Sequence, residues 1–140
     1  MLESLSLDGT SVVITGGGTG LGRAMVRDMA RAGADLVIAG RRSGPIEEAA
    51  AEAERLGATV FPVATDVTDS DQVAALMKAC VDRFGKIDVL LNNAGAVSDN
   101  VRKPIWELTD EEWDRVMRVN LTGAFYCARE VSQTMVNQGR

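Results

Sequence analysis

The stretch "VVITGGGTGLGRAM", residues 12–25, places five glycines within seven positions, directly after a run of apolar, β-branched residues. The apolar run predicts a buried strand, and the residues that follow the glycines have the apolar spacing of a helix. Glycine adopts backbone conformations that other residues avoid and leaves the main-chain amides open to close approach. One or two glycines would indicate an ordinary turn, whereas this density indicates that a phosphate group binds between the strand and the helix.

Strands and helices alternate on the C-terminal side of this loop. Strands are predicted over 11–15, 34–40, 59–67 and 87–91, with Pro62 marking a sheet edge. Helices are predicted over 21–31, 45–57 and 69–84, the last with Asp69 as its cap and Gln72 in a loose capping box. One long helix is predicted over 109–136 and opens with a Thr109–Glu112 capping box. Helices between successive strands predict parallel pairing. The expected fold class is therefore α/β, a doubly wound parallel sheet of the Rossmann type.

Composition excludes several classes of function. With 46% apolar and 25% charged residues the chain has globular composition, and its net charge of −5 argues against nucleic-acid binding. No apolar run approaches the roughly 18 residues of a membrane helix, so no membrane partner is expected. Histidine is absent, which removes imidazole bases and most metal sites, and no metal is expected. The stretch "MLESLSLDGT" (1–10) lacks the basic start and long apolar stretch of a signal peptide, and the two cysteines form no CxxC pair, so we expect a cytoplasmic protein.

Four separated motifs occur in a fixed order: "TGGGTGLG" (15–22), "DV" (66–67), "NNAG" (92–95) and "VNLTGAF" (119–125). Together they resemble the short-chain dehydrogenases/reductases, in the branch with a T-G-x-x-x-G-x-G cofactor loop. The resemblance runs from about Asp8 to the C-terminus. It implies a dinucleotide-binding domain over residues 1–140 that binds NAD or NADP. It also implies hydride transfer between the nicotinamide and the alcohol or carbonyl carbon of a small molecule.

The loop argument and the resemblance together predict the cofactor-binding residues. These are Gly16, Gly18, Thr19, Gly20, Leu21, Gly22, Arg41, Asp66, Val67, Asn93, Ala94 and Gly95. The resemblance implies that Asp66 accepts a hydrogen bond from the adenine amino group. An aspartate that only caps the next turn is the alternative. The resemblance also implies that Asn93, Ala94 and Gly95 lie beside the adenosine ribose, while Asn92 holds strands together.

The end of the second strand, "VIAGRR" (37–42), bears on which nicotinamide cofactor binds. NAD sites usually carry an acidic residue here, whose carboxylate binds the ribose hydroxyls and would repel a 2′-phosphate. This position holds Arg41, followed by Arg42, and a guanidinium can bind a phosphate through two parallel hydrogen bonds. We therefore expect NADP rather than NAD. The alternative is that both arginines are only solvated surface residues.

The residues that would perform the chemistry are mostly missing. Members of the family use a Ser, a Tyr, a Lys four residues after the Tyr, and an Asn on the preceding helix. Asn120 matches the Asn and is the expected catalytic residue, although it could instead only bond a backbone carbonyl. The single tyrosine, Tyr126, is followed four residues later by Glu130, so we expect a core or interface role for it. The sequence thus predicts the N-terminal portion of a longer oxidoreductase, incomplete after about four strands and the next helix, and inactive alone.

Other interpretations remain open. The chain could be a non-catalytic nucleotide-binding module or regulatory remnant, or an inert fragment that does not fold cooperatively. An NAD-linked epimerase or dehydratase on a related fold is disfavoured, because its loop spacing would require glycine at position 19, which is Thr19. The resemblance further implies that the full-length protein is a homo-oligomer that associates through the long helix, where Phe125 and Met135 need cover.

Overall fold

The computed structural model describes residues 6–97 and 103–139. Its strands are β1 (Ser11–Thr15), β2 (Asp35–Gly40), β3 (Val60–Ala64) and β4 (Val89–Leu91). Its α-helices are α1 (Gly20–Arg31), α2 (Ser43–Glu54), α3 (Ser70–Phe84), α4 (Asp110–Met117) and α5 (Ala124–Asn137). Residues 1–5, 98–102 and 140 of the predicted domain lie outside the described residues.

The strands form one sheet in the order β3-β2-β1-β4, and every neighbouring pair is parallel. This confirms the predicted α/β class and the parallel sheet. Pro62 lies on β3, which is an edge strand of the described sheet, as predicted. The Thr65 amide bonds to the Gly40 carbonyl of β2, so alternation along β3 turns the nitrogen of Pro62 away from β2. The missing N–H therefore costs no bond between strands.

Both faces of the sheet are covered by helices, as in a doubly wound fold. Val12 and Ile14 of β1 pack toward α1 and α2, in a cluster that includes Val26 and Ile46. Val13 lies between them in sequence and packs on the opposite face, in a cluster with residues of α3 and α5. Because successive strand residues point to opposite faces, β1 must be apolar throughout, and all five of its residues are buried.

The N-terminus of α3 confirms the predicted Asp69 cap. Asp69 Oδ1 accepts hydrogen bonds from the amides of Asp71 and Gln72, at 3.0 and 3.2 Å. Gln72 does not complete the predicted capping box, because its Oε1 bonds to the Asp66 amide rather than to the Asp69 amide. Strand β3 is also shorter than predicted, ending at Ala64, since the residues from Asp66 onward turn toward this helix.

The long helix predicted over 109–136 is interrupted, and that prediction was wrong in this respect. The Thr109–Glu112 capping box is present, with bonds of 3.2 and 2.8 Å. Helix α4 then passes into a π-helical segment, Arg118–Gly123, before α5 begins. A β-carbon on Gly123 would lie 2.7 Å from Val67 Cγ2, so the π segment brings the helix main chain against the residue that follows Asp66.

Candidate functional site: a cleft at the carboxyl ends of the strands

A cleft opens where the strands end and the helices that follow them begin. Its lining is Gly16, Gly18, Thr19, Ala39, Gly40, Arg41, Arg42, Pro45, Ile46, Thr65, Asp66, Val67, Ala94, Gly95 and Val119. Most of the predicted cofactor residues are in this set. Four predicted residues do not line the cleft: Gly20, Leu21, Gly22 and Asn93. The first three follow the lining residue Thr19 along the chain, and Asn93 precedes the lining residue Ala94. Ligands of open α/β sheets bind at this edge.

The N-terminus of α1 faces the cleft without a side-chain cap. Thr19 is its N-cap, with an extended φ of −144°, and makes no side-chain hydrogen bond to the first turn. By contrast, Asp69 caps α3 and Thr109 caps α4 through their side chains. The first turn of α1 also contains no acidic residue, so an added anion meets amide donors and the positive end of the helix dipole.

Three glycines of the loop are required for different steric reasons. A β-carbon on Gly22 would lie 2.1 Å from the Gly16 carbonyl oxygen, so this glycine lets α1 pack against its own loop. At Gly18 a β-carbon would lie 3.0 Å from atoms of Pro45 at the start of α2. Gly20 has open space around it but a φ of +53°, which favours glycine. The missing side chain at Gly22 is therefore required by packing within the protein.

Thr15 and Asn93 fasten the loop to the end of β4. Thr15 Oγ1 accepts hydrogen bonds from the amides of Asn93 and Ala94, at 3.1 and 3.0 Å. Asn93 Nδ2 donates to the Thr15 and Gly16 carbonyls, at 3.1 and 3.2 Å. The strand-holding role predicted for Asn92 thus falls largely to Asn93, while Asn92 Nδ2 bonds the Ala124 carbonyl of α5. Sequence reasoning missed Thr15, whose signal was a buried hydroxyl at the end of an apolar strand.

Arg41 and Arg42 stand at the lip of the cleft, exposed, where β2 passes into α2. Neither forms an ion pair or a side-chain hydrogen bond within the described part of the chain. Glu48, on the following helix, pairs instead with Arg23 of α1, at 3.3 Å. Two guanidinium groups therefore flank the cleft, and neither has a carboxylate partner in the part of the chain that the structure describes.

Asp66 lies in the cleft with one carboxylate oxygen already engaged. Its Oδ1 accepts hydrogen bonds from the Thr68 amide and the Thr68 hydroxyl, at 2.9 and 2.8 Å, as in an Asx turn. This is the arrangement of the turn-capping alternative. Among the described residues Asp66 Oδ2 has no hydrogen-bond partner, which leaves one acceptor for a ligand.

Asn120 lies in the π-helical segment and bonds the chain after β4. Its Oδ1 accepts from the Ala96 amide at 2.7 Å, and its Nδ2 donates to the Ala96 carbonyl at 2.9 Å. Both polar ends of the side chain are therefore engaged with one backbone residue. The π-bulged geometry is common near functional sites because it changes which main-chain carbonyls are bonded within the helix.

Tyr126 is half-buried against the core cluster on the α3 and α5 face, and it does not line the cleft. The Arg129 guanidinium carbon lies 5.1 Å from the centre of its ring, a cation–π distance. Across residues 6–97 and 103–139, no three acidic, cysteine or histidine side chains come together as metal ligands. Over the same ranges, no helix combines the length and apolar character needed to cross a membrane.

A parallel sheet with a glycine-rich first crossover and an uncapped α1 at its carboxyl edge defines a Rossmann-type, dinucleotide-binding class of fold. The family model for short chain dehydrogenase matches residues 10–140. The chain belongs to the short-chain dehydrogenase/reductase family, as its motifs predicted.

Several relatives illustrate the similarity. An uncharacterized oxidoreductase of Thermotoga maritima is 40% identical over 137 residues, which cover 95% of this chain and 51% of the relative. A hexahydro-indene-carboxyl-CoA reductase of Mycobacterium tuberculosis is 43% identical over 88% of this chain and 47% of its own length. A short chain dehydrogenase/reductase of Burkholderia phymatum, solved in complex with NAD, is 35% identical with a TM-score of 0.90, over all of this chain and 48% of that one. The chain thus spans about half the length of these relatives.

Proposed function

We propose that this chain binds NADP(H) in the cleft, and that the whole protein transfers hydride between NADP(H) and the alcohol or carbonyl carbon of a small molecule. Bound NADP(H) would supply or accept the hydride at its nicotinamide ring. The observation that carries the proposal is the pairing of an uncapped α1 with two arginines that have no carboxylate partner among the described residues, across one cleft. A family member with an NAD-type site would have an acid at position 41 instead.

The glycine loop is proposed to bind the pyrophosphate. Gly16, Gly18 and Thr19 line the cleft with main chain, and the amides at the start of α1, from Gly20 to Gly22, carry no side-chain cap. Exposed Leu21 is proposed to contact the cofactor from the first turn of this helix. A diphosphate placed there would meet several N–H donors with no β-carbon between.

The adenosine end is proposed to lie between the segment that follows β3 and the segment that follows β4. Asp66 Oδ2 is available to accept from the adenine amino group, and Val67 borders the same space. Ala94 and Gly95 line the opposite wall, where the ribose is proposed to bind. Because the side-chain Nδ2 of Asn93 already donates to carbonyls of the loop, we propose that Asn93 approaches the cofactor through its main chain.

Asn120 is proposed to hold a water of the proton relay in the full-length enzyme. Since its side-chain oxygen and nitrogen both bond Ala96, this role would fall to its main-chain carbonyl within the π segment. The side-chain bonds would fix the position of that carbonyl relative to the end of β4.

We propose that the 140-residue chain alone does not turn over substrate. No Tyr, Lys or Ser side chain lines the described cleft, so an alkoxide formed by hydride transfer would lack a proton donor. The same observation favours the second candidate, a non-catalytic nucleotide-binding module. The proposed inactivity is tested by following the absorbance of NADPH while the chain is incubated with a panel of ketones. Sustained NADPH consumption would contradict the proposed inactivity.

Self-association is proposed to use the outer face of the last helical region. Leu121, Phe125 and Val136 are 59%, 55% and 71% exposed there. We propose that this face pairs with a second copy in a homo-oligomer. Light scattering of the unmodified chain and of Phe125→Glu tests this, and an unmodified chain that stays monomeric at high concentration contradicts it.

The cofactor proposal is tested by titrating NADPH and NADH into the unmodified chain and into Arg41→Ala. A charge-assisted pair with phosphate contributes roughly 1.5–3 kcal/mol, so NADPH affinity should fall about 10- to 100-fold while NADH affinity changes little. Arg83→Ala, an exposed arginine in the last turn of α3, is the matched control. Equal losses for the two cofactors in Arg41→Ala would refute the NADP assignment.

A further inference from the structure

Gln72 makes contacts that the glycine loop and the four motifs do not explain. It lies in the first turn of α3, yet its Oε1 accepts a hydrogen bond from the Asp66 amide at 2.9 Å, six residues earlier. Its Nε2 donates to Asp69 Oδ2 at 2.9 Å. The side chain therefore bridges the cap of α3 and the main chain of the cleft residue Asp66.

The contacts around Asp66 fix it from two sides. Thr68 holds Oδ1 through its amide and its hydroxyl, and Gln72 holds the Asp66 amide. The Asp69 amide in turn bonds the Asp66 carbonyl at 3.1 Å. With its amide, its carbonyl and Oδ1 all engaged, the position of the remaining oxygen is determined by these contacts.

The charge of Asp69 supports the same bridge. Hydrogen bonds from the Gln72 amide and then from its side chain hold the pKa of Asp69 below its ordinary value of 3.8. Asp69 is thus an anion at neutral pH, and it keeps the side-chain Nε2 of Gln72 directed toward its carboxylate. The carboxamide geometry then leaves Oε1 as the atom presented to Asp66.

We propose that Gln72 is a positioning residue for adenine recognition. It fixes the backbone of Asp66 so that Oδ2 is held where the exocyclic amino group of the adenine would donate. The proposal rests on the proposed function, because it assumes that an adenine dinucleotide occupies the cleft. It adds a specificity determinant outside the cleft lining, in a residue that touches no cofactor itself.

The test uses the binding affinities of the chain for NADPH and for its hypoxanthine analogue, in which an oxo group replaces the adenine amino group. A hydrogen bond from the amino group to a carboxylate predicts that the unmodified chain prefers NADPH by about tenfold or more. In Gln72→Met, which keeps the length of the side chain but removes both hydrogen bonds, this ratio should fall to within about threefold of unity. A merely structural role would lower both affinities together and leave the ratio unchanged.

Two further variants keep the test decisive if Gln72→Met folds poorly. Asp69→Asn combined with Gln72→Glu exchanges the amide and the carboxylate, so an oxygen remains for the Asp66 amide without two carboxylates in contact. The ratio of this double variant should stay within about threefold of that of the unmodified chain. Asp71→Met changes an exposed residue of the same helical turn that has no side-chain contact to Asp66, and it should leave the ratio unchanged.

The outcomes separate the two proposals. An unmodified chain that binds neither nucleotide refutes the proposed function. Three results overturn the positioning role while leaving dinucleotide binding intact. They are an unmodified chain that binds both equally, a Gln72→Met ratio equal to that of the unmodified chain, and a ratio of the Asp69→Asn, Gln72→Glu double variant as low as that of Gln72→Met.

Discussion

At the residue scale, Gly22 shows how one absent side chain permits the whole loop. It is buried, and a β-carbon there would lie 2.1 Å from the Gly16 carbonyl oxygen and 2.5 Å from Asn93 Nδ2. Both atoms belong to the contacts that fasten the loop to β4. A side chain at position 22 would therefore displace the loop from the side-chain amide of Asn93, whether or not a ligand is bound.

The first prediction is that Gly22→Ala lowers the free energy of unfolding by about 3 kcal/mol, the range of severe overpacking. Gly44→Ala is the matched control, because a β-carbon at Gly44 meets nothing within 4 Å. The control should change stability by less than about 1 kcal/mol. Urea unfolding followed by circular dichroism measures both. Equal stabilities of the two variants would show that the loop packs differently from this description.

Single residues also show where sequence reasoning ended. The positions of the glycine loop and Arg41 at the cleft could be predicted from residue type and position after a strand, and that of Asp66 from the family resemblance. Thr15 and Asn93 could not be assigned their mutual bonds, because these depend on the register between β1 and β4, which the sequence does not specify. A buried threonine on an apolar strand indicates a polar contact but not its partner.

At the element scale, α3 and α4 begin with side-chain caps, whereas α1 and α2, which start at the cleft, have none. Asp69 and Thr109 cap α3 and α4, and both caps could be predicted from short sequence patterns. The π segment could not, since the apolar spacing of residues 109–136 is compatible with an uninterrupted helix. Its insertion reflects a tertiary contact, the close approach of Gly123 to Val67.

The second prediction concerns the pH dependence of the α3 cap. Because hydrogen bonds lower the pKa of Asp69 in the folded chain below 3.8, its carboxylate stabilises the fold above that pH. This stabilisation is lost as the pH falls through the folded-state pKa. Asp69→Asn should therefore be less stable than the unmodified chain at pH 7 and approach it in stability at acidic pH. Urea midpoints measured from pH 7 down to pH 2.5 check this, and a difference that persists unchanged at low pH would contradict it.

At the scale of the whole molecule, the sheet separates two apolar clusters, and each cluster contributes residues that line the cleft. Cys80 and Cys127 are both buried in the cluster on the α3 and α5 face. Burial raises the pKa of the Cys127 thiol to about 11, so it stays protonated near neutral pH. Neither thiol can react before the structure opens.

The third prediction uses these thiols to link cofactor binding to folding. Alkylation of the two cysteines at pH 8 should be slow in the folded chain and fast in 6 M guanidinium chloride. NADPH at about 100 times its Kd adds about 2.7 kcal/mol to the stability, so alkylation through global unfolding should slow about 100-fold. Mass spectrometry of the labelled chain gives the rates. Labelling that NADPH does not slow would indicate that ligand binding and the folded sheet are not coupled.

Order of elements, parallel pairing and the position of the cleft could all be predicted from the sequence, because alternating strands and helices allow few topologies. The edge position of β3 followed from Pro62 alone. The break between α4 and α5 and the contacts by which Asn93 fastens the loop required the three-dimensional packing. Both of these features depend on contacts between segments far apart in the chain.

The measurement that tests the central claim most directly is an amide-resolved NMR titration of the chain with NADPH. We expect the largest shift changes at Gly16–Gly22, Arg41, Asp66–Val67 and Ala94–Gly95, the residues of the cleft. The amide signals near Lys86 and Asp88, which lie at the opposite end of the strands from the cleft, should show no shift changes. Shift changes that are absent at millimolar NADPH, or that concentrate away from the cleft, would contradict the account.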